Sequence, residues 1–342
     1  MSGCSAVLIK SRTWSEIMNT FIDMETVRIA NRLKEAHYPF PRAQELRTQF
    51  NSCLEDYYAK AMSGKPFEAR GLLVTGKSRM GKSHEIDHLI RAFNDSATPM
   101  PDGRPARFIQ LRLWARNSLM DLGSSTLEAL DYPAAGKEKQ VRQIWKMVLD
   151  QAERNGVIGI HYDEAQHAFT DTGGAKNRIM LDNFKALMKE PRWPMVLILS
   201  GVDGLSEHVE RVGPEERRQL RHLLRPVRFR PIDPKADLDE LNGLAYAYAK
   251  KAEIDFDPLS NADFFQRLSH ACGNRWGLVI ELIIAAFIRC KRAGEAQISL
   301  DHFIDAFAEM HGTPRDFSPF TAPDYQELFE PDRLLEILNE ED

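Results

Sequence analysis

One octapeptide constrains this chain more than any other feature. Gly76-Lys77-Ser78-Arg79-Met80-Gly81-Lys82-Ser83 fits G-x-x-x-x-G-K-[ST] in full. That pattern works physically in one setting, between a buried strand and the first turn of a helix. Gly71 to Thr75 is a short apolar run suited to the strand, and residues 82–94 have helical spacing. The glycines let the backbone wrap tightly, so successive N–H groups face one point. A helix N-terminus adds partial positive charge there. Such a cradle holds phosphate. Lys82 is expected to reach the β- and γ-phosphates of ATP, and the Ser83 hydroxyl to ligate Mg²⁺.

Further strands alternate with helices around this motif. Residues 107–113, 157–162, 195–199 and 227–232 read as strands, with helices expected at 138–154, 175–190 and 214–224. Strands separated by helices imply parallel βαβ units, hence a three-layer α/β sandwich with a parallel five-stranded sheet. From about residue 235 the strands stop, and 236–253, 259–272, 276–293 and 299–310 read as a small all-α lid. Upstream, residues 42–62 form an amphipathic helix after the break at His37-Tyr38-Pro39-Phe40-Pro41. The expected organisation is a helical extension (1–66), a nucleotide-binding core (67–233), a lid (234–311) and a partner-binding tail (312–342). The tail is expected to be extended, with a short helix near Leu334 to Leu338.

Composition narrows the class. The 342 residues are 43% hydrophobic and 28% charged, as in ordinary globular proteins. No apolar run approaches the ~20 residues of a membrane span. The apolar patch Ala6 to Ile9 is too short for a signal peptide, so a cytoplasmic location and no membrane partner are expected. A net charge of −5 argues against a polycationic DNA binder, although basic residues cluster locally. Four dispersed cysteines without a CxxC pair argue against zinc and against a disulfide scaffold.

The third strand ends in Asp163-Glu164, about eighty residues after the phosphate loop. Asp163 is expected to hold Mg²⁺ through its water shell, and Glu164 to polarise the attacking water. His161, within the strand, reads as a satisfied structural histidine; Gln166 and His167 are open between sensing and structure. Ser200, at the end of the fourth strand, is placed to orient the water. The arginines that follow include Arg221 and Arg225, candidates for a finger reaching a neighbouring subunit's nucleotide. In the helical part, Arg275 opens a helix and could swing onto the phosphates. Arg112 and Arg116, after the second strand, read as surface arginines, Arg112 alternating with Leu111 and Leu113 as in an ordinary strand.

Walker A, Walker B, sensor 1, an arginine-rich core end and a helical lid occur here in the order of AAA+ proteins. More narrowly, the chain resembles the TniB/TnsC family of transposition ATPases. The resemblance rests on HYPFPRAQELRTQF before the loop, STLEALDYP after the second strand, DEAQH at the acidic pair, LSGV at sensor 1, and ISLDHFIDAFAEMHG followed by a Pro/Phe stretch. It implies a slow regulatory ATPase that forms homo-oligomeric rings or filaments on duplex DNA, recruits a DDE transposase and a target-selector protein, and disassembles on hydrolysis. The residues carried over are Lys82, Ser83, Asp163, Glu164 and Arg275, with Ser200 a looser match; since related oligomers turn the region after the second strand toward the DNA, the resemblance also makes Arg112 and Arg116 candidates for backbone contact. Two other classes fit the loop: an AAA+ or STAND-like signalling ATPase with protein partners only, and a small-molecule phosphotransferase. The second would need a lid with substrate-binding basic residues inserted in the core, and the helical C-terminal unit and the stretch Gly273-Asn274-Arg275-Trp276-Gly277 disfavour it.

Overall fold

In the computed structural model, five strands form one parallel sheet: β1 (Gly71–Thr75), β2 (Arg107–Arg112), β3 (Val157–Asp163), β4 (Val196–Gly201) and β5 (Leu224–Arg228). Their spatial order is β2-β3-β4-β1-β5, and every neighbouring pair is parallel. The structure describes residues 22–114, 117–132, 140–170, 174–210 and 222–330. β1 and β4 are buried throughout, and β3 except at Asp163, which explains their nearly unbroken apolar sequences. The register pairs Val74 with Ser200 and Thr75 with Gly201 across β1 and β4. The C-terminal ends of β1, β4 and β3 therefore lie side by side, where ligands bind in open parallel sheets.

β5 starts three residues earlier than the sequence pattern suggests. The expected strand began at Val227, just after Pro226, and proline cannot donate to a ladder. β5 is the edge strand beyond β1, so Pro226 costs it no inner hydrogen bond, and the strand runs through Leu224 to Arg228. Leu224 consequently belongs to the strand and not to the expected helix at 214–224, most of which lies outside the described residues.

Helices α1 (Met24–Lys34), α2 (Gln44–Ala61), α3 (Lys82–Asp95), α4 (Leu119–Ala129), α5 (Val141–Arg154), α6 (Gly174–Met188) and α7 (Gly204–Glu210) precede β5. After it come α8 (Leu238–Ala252), α9 (Ala262–Ala271), α10 (Trp276–Arg292), α11 (Leu300–His311) and the short α12 (Tyr325–Leu328). α4 opens with a reciprocal cap: Asp121 N–H donates to Ser118 Oγ, and Ser118 N–H donates to Asp121.

The contacts divide the chain into two units. Residues 39–231 hold the sheet with α2 to α7. The described residues before 39 join those from 232 onward in a helical unit. The expected 1–66 extension is thus split at the Tyr38-Pro39 step, within the proline break that stops α1 from running into α2. In the helical unit, Phe264, Phe303, Phe307 and Phe320 form an aromatic core, and Tyr248 donates to the Ala36 carbonyl at 3.1 Å. The tail is not extended over its described part. Phe320 inserts into that core, and Arg267 donates to the carbonyls of Pro319 (2.8 Å) and Ala322 (2.7 Å). The helix expected near Leu334 to Leu338 lies outside the described residues. Among those described, no single helix is long and apolar enough to cross a membrane.

Candidate functional site

The phosphate loop leaves β1 at Gly76, whose φ is +154°. A Cβ there would stand 2.7 Å from the Phe229 carbonyl oxygen, so this position needs glycine. Gly81 adopts φ +87° and caps α3, which opens at Lys82. Met80 is fully buried and pins the loop from below. The Lys82 side chain is 7% exposed and curls over the loop, its Nζ donating to the carbonyls of Gly76 (2.8 Å) and Lys77 (2.9 Å). An ammonium thus sits within a ring of backbone at a helix N-terminus, an arrangement suited to phosphate. Lys77, Ser78 and Arg79 form the exposed rim.

On the neighbouring strands, a line of polar side chains crosses one face of the sheet. Ser200 Oγ donates to Asp163 Oδ1 at 2.6 Å. His161 Nε2 lies 2.8 Å from the same hydroxyl. With the Ser200 proton directed at Asp163, the Nε2–H tautomer of His161 donates to Ser200 and leaves Nδ1 without a hydrogen to give Gln110 Oε1. His161 Nδ1 is 3.4 Å from Gln110 Oε1, and Gln110 Nε2 donates to Asp87 Oδ1 at 2.6 Å. Burial pushes the His161 pKa down to about 4, although the Asp163 and Asp87 charges pull the other way. The ring is therefore neutral near pH 7.

Ser83, Asp87, Gln110, Arg112, His161 and Asp163 line a single cavity of about 180 Å³. It brings together the two residues expected to serve Mg²⁺, Ser83 on α3 and Asp163 on β3. Hydroxyl and carboxylate oxygens are the hard donors this ion takes, one or two per site, with water completing the shell. The donor set fits the ion. Among the described residues no cluster of three His, Cys, Asp or Glu side chains forms an all-protein metal cage.

Glu164 has φ +53°, left-handed backbone that costs energy for a non-glycine residue. Its carboxylate is held from two sides. Gln166 Nε2 donates to Oε2 at 2.5 Å, and Arg112 Nη2 lies 3.9 Å from Oε1. The Arg112 guanidinium also lies over the Trp114 ring, 4.6 Å from its centroid, and Trp114 is 76% exposed. Sequence reasoning weighed Arg112 as a DNA contact or an ordinary surface arginine and missed its proximity to Glu164. It also missed Asp87 and Gln110. The signals were present: Asp87 stands one helical turn after Ser83, and Gln110 shares a strand face with Arg112.

Ser200 is fully buried, and its hydroxyl is engaged by Asp163 and His161. Arg225 lies within β5 and donates through Nη1 to Ser52 Oγ (2.7 Å) and Gln49 Oε1 (3.2 Å) on α2. The guanidinium thus braces a helix of its own core. Arg116 and Arg221 lie outside the described residues. Arg275 belongs to the helical unit, where it is the N-cap residue of α10 and is 8% exposed.

Sheet order, phosphate loop and polar strand ends together define an AAA+ P-loop fold. Residues 65–209 match the family described as "AAA domain". No curated protein matches the chain in sequence. Among solved structures, the chain is similar to Cdc6p from Pyrobaculum aerophilum, with 14% identity, a TM-score of 0.59, and 91% of this chain and 88% of that one covered. It is also similar to the Aeropyrum pernix ORC2 protein in ADPNP-ADP complexes (13% identity, TM-score 0.56, 81% and 71% covered). The Aeropyrum pernix ORC1 protein in complex with DNA gives 15% identity, TM-score 0.56, and 82% and 69% covered. At these identities the likeness is one of fold.

Proposed function

We propose that this protein is an ATP-hydrolysing regulator of DNA transposition, which oligomerises on duplex DNA with ATP and leaves it on hydrolysis. The observation that carries the ATPase reading is the shared cavity of Ser83 and Asp163 beside the phosphate loop. In this reading the loop amides and Lys82 hold the triphosphate. Ser83 and Asp163 hold Mg²⁺, which neutralises charge on the β- and γ-phosphates when bound. Ser200 and His161 fix the orientation of Asp163. Glu164 accepts a proton from the attacking water, and Arg275 steadies the phosphates from the lid.

The transposition reading draws on the family resemblance of HYPFPRAQELRTQF, STLEALDYP and the C-terminal stretch. The similar ORC1 structure, solved in complex with DNA, supports a DNA-bound assembly on this fold. Contact would be to backbone phosphates, largely independent of sequence, with Arg112 and Arg116 as candidates. Partners would be a DDE transposase and a target-selector protein, the tail beyond residue 312 offering a surface for one of them.

Electron microscopy and binding assays with a non-hydrolysable ATP analogue and duplex DNA test the proposal. Rings or filaments are expected with analogue and DNA, with affinity falling steeply as salt rises. Lys82→Ala should form none. Wild-type protein that stays monomeric and off DNA at low salt would overturn the DNA reading. Assembly driven by a protein partner alone would favour a signalling ATPase.

A further inference from the structure

The residue after the acidic pair's alanine has no role in the reading above. We infer that Gln166 is a positioning residue for Glu164, and that Gly201 is glycine to leave room for it. The inference rests on Glu164 serving the attacking water.

Three observations carry it. First, Gln166 is rigidly mounted. It sits in the 3-10 turn Ala165–Ala168, whose two alanines are buried, with the His167 N–H bonded to the Glu164 carbonyl and the Phe169 N–H to the Gln166 carbonyl. Second, its amide is used at both ends. Nε2 donates to Glu164 Oε2 at 2.5 Å, and Oε1 accepts from the Val202 N–H at 3.4 Å. One side chain thereby ties the Glu164 carboxylate to the exit of β4, next to Ser200. Third, an ideal Cβ on Gly201 would overlap Gln166 Oε1 and approach Leu205 Cδ2 to 3.1 Å. Gly201 has no positive φ, so its backbone does not demand glycine. The Gln166 amide fills the space beside it, so an added methyl would be accommodated by moving that amide.

The geometry has a chemical consequence. A carboxylate offers about four lone-pair directions. Gln166 takes one on Oε2, and the more distant Arg112 faces Oε1. The remaining directions are fixed in space and available to water. Without the amide, Glu164 would rotate about its side-chain torsions, and the proton acceptor would spend most of its time misaligned.

Steady-state ATP turnover, nucleotide affinity and melting temperature, measured on the full chain, test this. Gln166→Met keeps the length and loses the donor. Gly201→Ala keeps Gln166 but displaces its amide. Each should lower kcat on the order of 10-fold, the usual size of a lost orienting partner, with KM and nucleotide affinity unchanged. The double variant should be no slower than either single one, because both remove one interaction. Gln166→Met turning over at the wild-type rate or faster would overturn the inference, as would additive losses in the double variant. Glu164→Gln separates the two readings. If that variant hydrolyses ATP normally, the role of Glu164 itself fails; if it is inactive while Gln166→Met is normal, only the positioning role fails.

Discussion

The Ser200 hydroxyl stands between His161 and Asp163, 2.8 Å from the imidazole Nε2 and 2.6 Å from the carboxylate it donates to. His161 is buried, and burial holds its pKa near 4 against an ordinary value of 6.5. Between those values the unfolded chain binds a proton that the folded chain refuses. The stability contributed by this residue is therefore complete above about pH 6.5 and is lost as pH falls toward 4. Denaturant titrations of the nucleotide-free protein at pH 7 and pH 5 should differ by on the order of 2 kcal/mol from this group. His161→Gln should reduce that difference. An unchanged pH dependence in the variant would show that the imidazole is not the titrating group.

Gly76 offers a test of the loop that leaves every charged group in place. Its φ of +154° and the nearby Phe229 carbonyl exclude a side chain. Gly76→Ala must push the loop away from the segment after β5, since the obstacle is backbone and not a flexible side chain. A stability loss of roughly 1–3 kcal/mol is expected, with at least a tenfold loss of nucleotide affinity because the amides no longer converge. Calorimetric titration with ADP measures the second effect, and normal affinity would count against the loop geometry described here.

For Arg225, structure and sequence point to different experiments. Its bonds to Ser52 and Gln49 join β5 to α2. Arg225→Ala should lower stability by about 1 kcal/mol, and mixing it with a hydrolysis-dead Lys82→Ala protein should not rescue or poison turnover. A finger acting in trans would behave otherwise: mixtures of the two variants would recover activity when each supplied what the other lacked.

These residues also show how far the sequence was legible. The loop, its strand and its helix were readable because glycine, lysine and serine at fixed spacing have one structural setting. β1, β3 and β4 were readable because buried parallel strands are short and apolar. β5 was misplaced by three residues because tolerance of Pro226 depends on its being an edge strand, a fact of sheet order and not of local pattern. Asp163 and Ser83 were named from spacing. Asp87, Gln110 and the Gln166 link were not, since each depends on which strands become neighbours. The bonds of Arg225 to Ser52 and Gln49 were not legible, because arginine density does not reveal which helix packs beside a strand.

The last relationship concerns the segment after α11. Arg267 does three things at once: it donates to the carbonyls of Pro319 and Ala322, stacks over the Tyr325 ring at 4.6 Å, and pairs with Asp263 one turn earlier. Around it, Phe320 is buried among Phe264, Phe303 and Phe307, and the His270 ring lies 2.7 Å from the Phe329 carbonyl. The segment is therefore anchored at its start by Arg315, which pairs with Asp301 and Asp305, at its middle by Arg267, and by apolar groups beside it. Removing the Arg267 cation leaves two carbonyls without their donor but keeps the aromatic insertion. Arg267→Ala should consequently loosen residues 319–325 without unfolding the helical unit. Hydrogen exchange should rise in that stretch while α10 and α11 keep their protection. Uniform loss of protection across the helical unit would instead mean that Arg267 supports the whole bundle, and unchanged exchange would mean that the phenylalanines alone hold the segment.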